Sequence, residues 1–457
     1  MAASSRKKLS MKVVLIFQRL FLLLIGSGIL LGCGTQHTLK RAAGQLIGNE
    51  LSNAHVGIAV FDPQKNRYRF THQSDKLFVP ASNTKIVTCY AGMKYLPARF
   101  PTAIFQELDT AVIIVPMGDP TFLHPEFAVH PLMNRLKDVK KPIYLSTTHW
   151  KTLALGNGWS QEDFSEGYMT ERSVFPVYGN RVHWFQERTK KENPSHAADS
   201  IDLFIYSNPE ISWPVDFGKA GSRFSVVRAA HNNAFTLLEG KEKQARVSVP
   251  YITNGVKTGL ELLADSLHTS ISIWEGPKEY TARLIRQDTI YSQSTDSLLS
   301  IMMHRSDNFY ADQILLMASQ MKKGEMNEEG FIQDMLETEL KSFPVTPRWV
   351  DGSGLSRYNV FSPSDMIHLL EKLRTEEPWE RIAAVFPQSS EGTLRSISGL
   401  SGTSIIAKTG SMGGVLCLSG YVRSKDNRWL SFSIMINNHT SSGAVLRKRI
   451  GEFLSRL

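Results

Sequence analysis

The chain has 457 residues, 42% of them hydrophobic, and a formal charge of +9; this excludes a compositionally disordered chain and allows two or three globular units. Five of those charges, Arg6, Lys7, Lys8, Lys12 and Arg19, precede Gly32 with no acid among them, which leaves about +4 for the rest. No Lys/Arg block or interleaved aromatic stripe favours nucleic acid, and no paired-histidine or CxxC spacing favours a metal or other cofactor.

In chain order, residues 1–32 read as a secretory signal: basic residues precede the uncharged run Leu20 to Gly32. That run is shorter than the roughly 20 residues a membrane span needs, and Arg19 blocks its extension. Leu30-Leu31-Gly32-Cys33 reads as a bacterial lipoprotein box, so Cys33 is expected to be lipidated. The chain would then be exported and held by its lipid at the periplasmic side of the cell envelope. The other two cysteines, Cys89 and Cys417, lie in apolar surroundings and read as buried thiols, although export permits a disulfide.

Val56, Ile58 and Val60, then Tyr68 and Phe70, alternate around the turn-like Asp62 to Asn66 and predict a hairpin. From Ser82 the period becomes helical through Ile86, Val87, Tyr90, Met93 and Leu96, and Pro97 marks the stop. Between Thr110 and about Asp288 short strands and loops predominate, including the turn-like Met117 to Pro120 and the polar stretch Thr189 to Ser195. Helical patterning returns at Ser297 to Met303 and Phe309 to Met317, with Ser306 and Asn308 at the junction. Ser362 is a predicted N-cap with Pro363 in the first turn. Three strand-like runs follow, 404–408, 415–422 and 429–437, and 444–457 reads as a closing amphipathic helix. Hairpin, meander and closing helix together predict an α+β unit, an antiparallel sheet covered by helices.

Three motifs occur in this frame: Ser82-Asn83-Thr84-Lys85, Ser306-Asp307-Asn308 and Lys408-Thr409-Gly410. Each alone has a plain alternative, as a helix cap, a turn or a strand end. Ser-x-x-Lys also recurs at Ser4 to Lys7 and at Ser5 to Lys8. Jointly they describe one serine acyl-transfer site. Residues three apart share a helix face, so Lys85 stands over Ser82 as its base. To act near neutral pH its pKa must fall by roughly 3 units, through burial and a neighbouring cation, for which Lys408 is the candidate. Ser306 would relay a proton between Lys85 and the leaving amine, and Asn308 would hold Lys85 or the substrate amide. Lys408 and Thr409 would pair with an anionic group of the substrate, and Gly410 would let the substrate backbone lie close. The backbone N–H groups of Ser82 and Ser411 are the expected oxyanion donors.

With these residues the chain resembles the low-molecular-mass penicillin-binding proteins of the D-alanyl-D-alanine carboxypeptidase/endopeptidase type, peptidase family S13. Pro80 to Lys85, Gly118-Asp119-Pro120, Gly158-Trp159-Ser160, Arg305 to Asn308, Asp351 to Arg357, Glu391 to Leu394 and Ala407 to Gly410 all resemble that family's motifs. The resemblance implies a DD-peptidase/β-lactamase-like domain in two parts, 33–109 and 289–457, with a large, mainly β insertion over 110–288. It implies hydrolysis of D-Ala-D-Ala ends or D-alanyl cross-links of peptidoglycan stem peptides, with β-lactams as covalent inhibitors. It places the pocket for a diamino-acid side chain at Asp163, Tyr168 and Arg357. Three positions depart from the pattern: Asp312 where glutamate is common, Met117 where glycine is common, and no glycine just before Glu391.

Two other readings fit parts of the sequence. A β-lactamase would need a carboxylate to position the deacylating water, and Glu337 to Lys341 resembles such a loop, although it falls in a run that reads as an ordinary helix. A non-catalytic wall-binding lipoprotein would keep the pocket only to hold stem peptides.

Overall fold

The computed structural model describes residues 39–48, 51–190, 201–267, 269–274 and 283–457. The leader, the lipoprotein box with Cys33, and residues 191–195 of the polar stretch lie outside the described residues.

The first element, α1 (39–47), buries Leu39, Ala42, Ala43 and Leu46. The hairpin follows as β1 (His55–Asp62) and β2 (Arg67–His72), with Asn66 in the turn at φ 44°. Val56, Ile58 and Val60 are buried on one face of β1, but Gly57 and Ala59 are buried on the other. The small residues there make room rather than face water: a Cβ on Gly57 would lie 2.6 Å from the ring of Phe78. A 3₁₀ turn, Ala81–Thr84, then runs directly into α2 (Lys85–Tyr95).

The chain next leaves this layer through β3 (Arg99–Leu108), β4 (Val112–Pro116), α3 (Pro131–Lys137) and β5 (Ile143–Ser146). It continues through β6 (Arg181–Lys190), β7 (Ile201–Asn208), β8 (Val215–Phe217), β9 (Ser225–Arg228), β10 (Phe235–Leu238) and β11 (Gln244–Pro250). It returns by α4 (Lys257–Leu267), β12 (Ile271–Trp274) and β13 (Leu284–Ser294). The order β12-β5-β4-β3-β13 makes a mixed sheet on which α3 and α4 pack with Leu132, Leu136, Leu260 and Leu263. Two three-stranded sheets, β11-β6-β7 and β8-β10-β9, enclose a second small core around Trp184, Phe235 and Tyr251.

The insertion is mainly β, as expected, with α3 and α4 covering its larger sheet. Its limits are wider than 110–288, because β3 and β13 pair with each other, Phe105 opposite Asp288, and close the insertion at its neck. The expected limits cut the β3–β4 hairpin and β13 itself. The composition changes only at Thr110, one strand after the chain has departed.

The remaining elements are α5 (Thr295–Arg305), α6 (Asn308–Lys323), α7 (Glu328–Glu337), α8 (Pro363–Glu376), α9 (Trp379–Val385), β14 (Ile405–Met412), β15 (Val415–Arg423), β16 (Trp429–Asn437) and α10 (Gly443–Leu454). As the cap signals predict, Ser362 Oγ accepts from the Asp365 N–H at 3.0 Å while Asp365 accepts from the Ser362 N–H at 2.9 Å. The sheet order β14-β15-β16-β1-β2 is antiparallel throughout, and His55 opposite Asn437 stitches the two ends of the chain together. One face is covered by α1 and α10. The other is covered by α2, α5, α6, α8 and α9 around Ile86, Leu298, Ile314, Leu370 and Ile382. Cys89 and Cys417 are both buried in that second core and both free, and burial pushes the Cys417 thiol up to about 12. The expected α+β architecture is the one observed.

Candidate active site

Ser82 sits in the 3₁₀ turn, one residue after Ala81, whose φ is +47°. Lys85 opens α2 and is wholly buried. Its Nζ lies 3.0 Å from Ser82 Oγ, 2.7 Å from Asn308 Oδ1 and 2.6 Å from the carbonyl oxygen of Ser353. Burial lowers the Lys85 pKa to about 8, against the opposing pull of Asp312, Asp351 and Asp307. Desolvation is the main cause of this fall and the three carboxylates oppose it, while the charges of Lys85 and Lys408 disfavour one another.

The second motif is a break between helices. Ser306 takes the left-handed conformation, φ 60°, as the residue after α5, and Asp307 caps α6 by accepting from the Tyr310 N–H at 3.0 Å. Burial raises the Asp307 carboxyl, but Arg181, 3.1 Å away, and the Tyr310 N–H outweigh it and hold it below its ordinary value. This turn aims Ser306 and Asn308 to the same side, Asn308 at Lys85 and Ser306 at Lys408.

Lys408, also wholly buried, donates to Ser306 Oγ at 2.8 Å and to the Thr409 carbonyl at 2.7 Å. Its pKa lies well below the ordinary lysine value through burial first and the Lys85 charge second. The expected relay from Lys85 through Ser306 therefore needs correction: Ser306 is bonded to Lys408, and Lys85 spends its bonds on Ser82, Asn308 and Ser353. Gly410 is also corrected. A Cβ there would lie 2.5 Å from the Pro80 carbonyl and 3.1 Å from the Ser82 nitrogen, so the missing side chain lets β14 lie against the serine turn. Thr409 Oγ1 donates to Thr393 Oγ1 at 2.7 Å, which ties β14 to the Glu391–Leu394 segment.

Two cavities open at Ser82. The first, about 510 Å³, is lined by Ser82, Asn308, Ser411 and the trio Asp163, Tyr168 and Arg357. Asn308 Nδ2 reaches the Tyr168 carbonyl at 3.2 Å, and Arg357 donates to the Gly413 carbonyl at 2.8 Å. The Tyr168 hydroxyl is raised above its ordinary pKa by desolvation and by Asp163. The second cavity, about 360 Å³, shares Ser82 and Ser411 and adds Ser306, Thr393 and Thr409.

The sequence quoted several further residues without assigning them a task. Asp351 accepts from the Gly354 and Ser356 N–H groups, both at 2.7 Å, from Asn359 at 2.8 Å and from Trp159 Nε1 at 2.9 Å. That network fixes the loop whose Ser353 carbonyl holds Lys85. Gly354, at φ +79°, passes so close to Ala81 that no Cβ would fit. The Glu337–Lys341 stretch plays no part in the site: Glu339 accepts from Tyr90 and Lys94, both at 2.8 Å, and lines neither cavity. Among the described residues no group of three or more metal-ligating side chains gathers, and no helix is long and apolar enough to cross a membrane.

Comparison with known proteins adds the following. The family model described as D-Ala-D-Ala carboxypeptidase 3 (S13) matches residues 39–457. A D-alanyl-D-alanine carboxypeptidase of Actinomadura sp. (strain R39) is 24% identical, over 85% of this chain and 79% of the relative. The D-alanyl-D-alanine carboxypeptidase DacB of Haemophilus influenzae is 29% identical, over 85% of this chain and 86% of the relative. The crystal structure of penicillin binding protein 4 from Haemophilus influenzae superposes with a TM-score of 0.70 at 18% identity, covering 90% of this chain and 97% of that one, and so shares the fold.

Proposed function

The chain belongs to the S13 family of D-Ala-D-Ala carboxypeptidases, and from that premise we propose how it acts as a serine-type DD-peptidase: it trims D-Ala-D-Ala ends and opens D-alanyl cross-links of peptidoglycan stem peptides through an acyl-enzyme on Ser82, which β-lactams trap. The observation that carries the assignment of roles is the set of partners around Lys85 Nζ. A neutral lysine keeps two N–H donors and one lone pair. Asn308 Oδ1 and the Ser353 carbonyl can only accept, so they take the two donors, and the lone pair is left for the one partner with a proton to give, Ser82 Oγ.

The Ser82 proton passes to Lys85 as Oγ bonds to the D-alanyl carbonyl carbon. The negative charge moves to the carbonyl oxygen, facing the Ser82 and Ser411 N–H groups, where each donor is worth about 3 to 4 kcal/mol in comparable sites. The C–N bond then breaks, and the leaving nitrogen takes a proton from Ser306, which Lys408 resupplies. The proton that Lys85 took from Ser82 passes on to restore Lys408, which leaves Lys85 neutral; water then gives a proton to Lys85 as its oxygen bonds to the acyl carbon, and Lys85 returns that proton to Ser82 Oγ as the acyl group leaves. Asp163 and Arg357 present opposite charges in the first cavity, a setting suited to the ammonium and carboxylate of a diamino acid on the acyl side.

Ser82→Ala should lower D-alanine release from a pentapeptide stem by about 10⁴-fold or more and abolish labelling by a fluorescent penicillin; equal release by variant and wild type would remove the mechanism. The lipoprotein box at Leu30 to Cys33 supports lipid attachment at Cys33. In cell fractionation, Cys33→Ser should move the protein from the membrane to the soluble fraction.

A further inference from the structure

The two cavities at Ser82 do different work. Asp163, Tyr168 and Arg357 line only the first, whereas Ser306 lines only the second. Ser306 is the hydroxyl bonded to Lys408, and the group that protonates the leaving nitrogen must stand beside it. The acyl portion therefore lies in the first cavity and the leaving group in the second, an orientation that rests on the acyl-transfer reading above.

The second cavity is larger than a trimmed residue requires. A free D-alanine has six non-hydrogen atoms, whereas about 360 Å³ falls in the range of roughly 300 to 1,000 Å³ typical of pockets for drug-sized ligands. Its charge is also one-sided. Arg395, from the 3₁₀ turn Gly392–Ser396, and Arg447, from α10, both line it, and no acidic side chain does. Neither arginine has an ion-pair partner among the described residues. The Arg395 guanidinium uses only its Nε, donating to the Ser390 carbonyl at 3.2 Å, and the Arg447 guanidinium makes no hydrogen bond among the described residues. A guanidinium with no acid opposite it, beside serine and threonine hydroxyls, is a carboxylate receptor in the making.

We propose that Arg395 and Arg447 are specificity-determining residues that bind carboxylates of a peptide leaving group, so that this site favours hydrolysis of cross-links, whose leaving amine belongs to a second stem peptide, over release of single D-alanine. The chemistry is unchanged: the same C–N bond breaks and the same proton reaches the nitrogen. What differs is that an acceptor stem offers more than one carboxylate, and two arginines lie where they would meet it.

The test compares purified wild-type protein with Arg395→Gln, Arg447→Gln and the double variant on two muropeptides of known composition, a cross-linked dimer and a monomeric pentapeptide. The ratio of kcat/KM for cross-link cleavage to that for D-alanine release should fall about tenfold or more in the double variant, the scale of a lost charge-assisted hydrogen bond, with the change residing in KM for the dimer. Arg395→Lys and Arg447→Lys keep the charge and should retain most of the ratio, which guards against a merely structural loss. Raising the salt concentration should depress the wild-type ratio but not that of the double variant. An unchanged ratio in the double variant, or equal losses on both substrates, would overturn the inference while leaving the acyl-transfer mechanism intact. A wild-type protein that neither releases D-alanine nor is labelled by penicillin would overturn both.

Discussion

At Lys85 a single atom has three partners, and two of them were legible in the sequence. Ser82 stands three residues earlier on the same turn, and spacing alone brings the two together. Asn308 was legible by motif. The third partner, the carbonyl of Ser353, belongs to the backbone and carries no residue identity, so its motif could be quoted without its task being seen. The surrounding carboxylates were equally hidden, although the departure at Asp312 now has a physical content: neither of its buried oxygens has a hydrogen-bond partner. Burial first and Asp351 second push that carboxyl well above its ordinary pKa. Where ionised, Asp312 favours the ammonium form of Lys85 and so works against the base. Because attack requires neutral Lys85, the rate of Ser82 acylation by a β-lactam should fall as pH drops through about 8, the value to which burial lowers this lysine. Asp312→Asn removes a carboxylate that raises the lysine, so the acid limb should move to lower pH. Stopped-flow acylation across pH 5 to 10 reads both, and a limb that stays fixed in the variant would show that Asp312 does not act on Lys85.

At the scale of elements, long periodic segments were legible and departures between layers were not. The helix after Ser362 could be read because its cap, its first-turn proline and its apolar face agree. The neck of the insertion could not, because β3 has the same apolar content as the layer it leaves and finds its partner, β13, some 180 residues later. The placement of β14 depends on a similar long-range fact, since Gly410 faces the Pro80–Asn83 turn rather than solvent or ligand. Gly410→Ala puts a methyl group 2.5 Å from the Pro80 carbonyl, and neither backbone can yield without moving Ser82 relative to Lys408 and Ser411. A displacement of even 1 Å in such a site costs on the order of 10²-fold. The variant should therefore lose about 10- to 100-fold in acylation rate while remaining folded by circular dichroism. Wild-type kinetics in a folded variant would mean that β14 has room to spare.

Across the whole molecule, the insertion and the peptidase layers are joined by buried polar groups, which pattern analysis sees only as scattered charges. Gln313 of α6 donates to the carbonyls of Gly118 at 2.8 Å and Ser173 at 3.0 Å, and Arg181 of β6 pairs with Asp307. The buried charge among these contacts is Arg172, which is 1% exposed. It lies 2.5 Å from Glu328 at the start of α7, donates to the Leu153 carbonyl at 2.9 Å and sits 5.3 Å from the ring of Trp159. Burial raises the Glu328 carboxyl and the arginine opposes it, so each charge is tolerated only because of the other. Glu328→Ala strands a guanidinium in the interior and should cost about 3 to 5 kcal/mol. Replacing both partners, Arg172→Met with Glu328→Leu, should cost markedly less than the sum of the single losses, because no orphaned charge remains. Urea unfolding of the two single variants and the double variant measures that cycle. The segment between Leu153 and Arg172 also carries Asp163 and Tyr168 to the rim of the first cavity. If Arg172 anchors it, Glu328→Ala should weaken binding of a diamino-acid stem peptide below the unfolding transition as well. A Glu328→Ala protein of wild-type stability would mean that the pair is solvated and that the insertion is held by its apolar contacts alone.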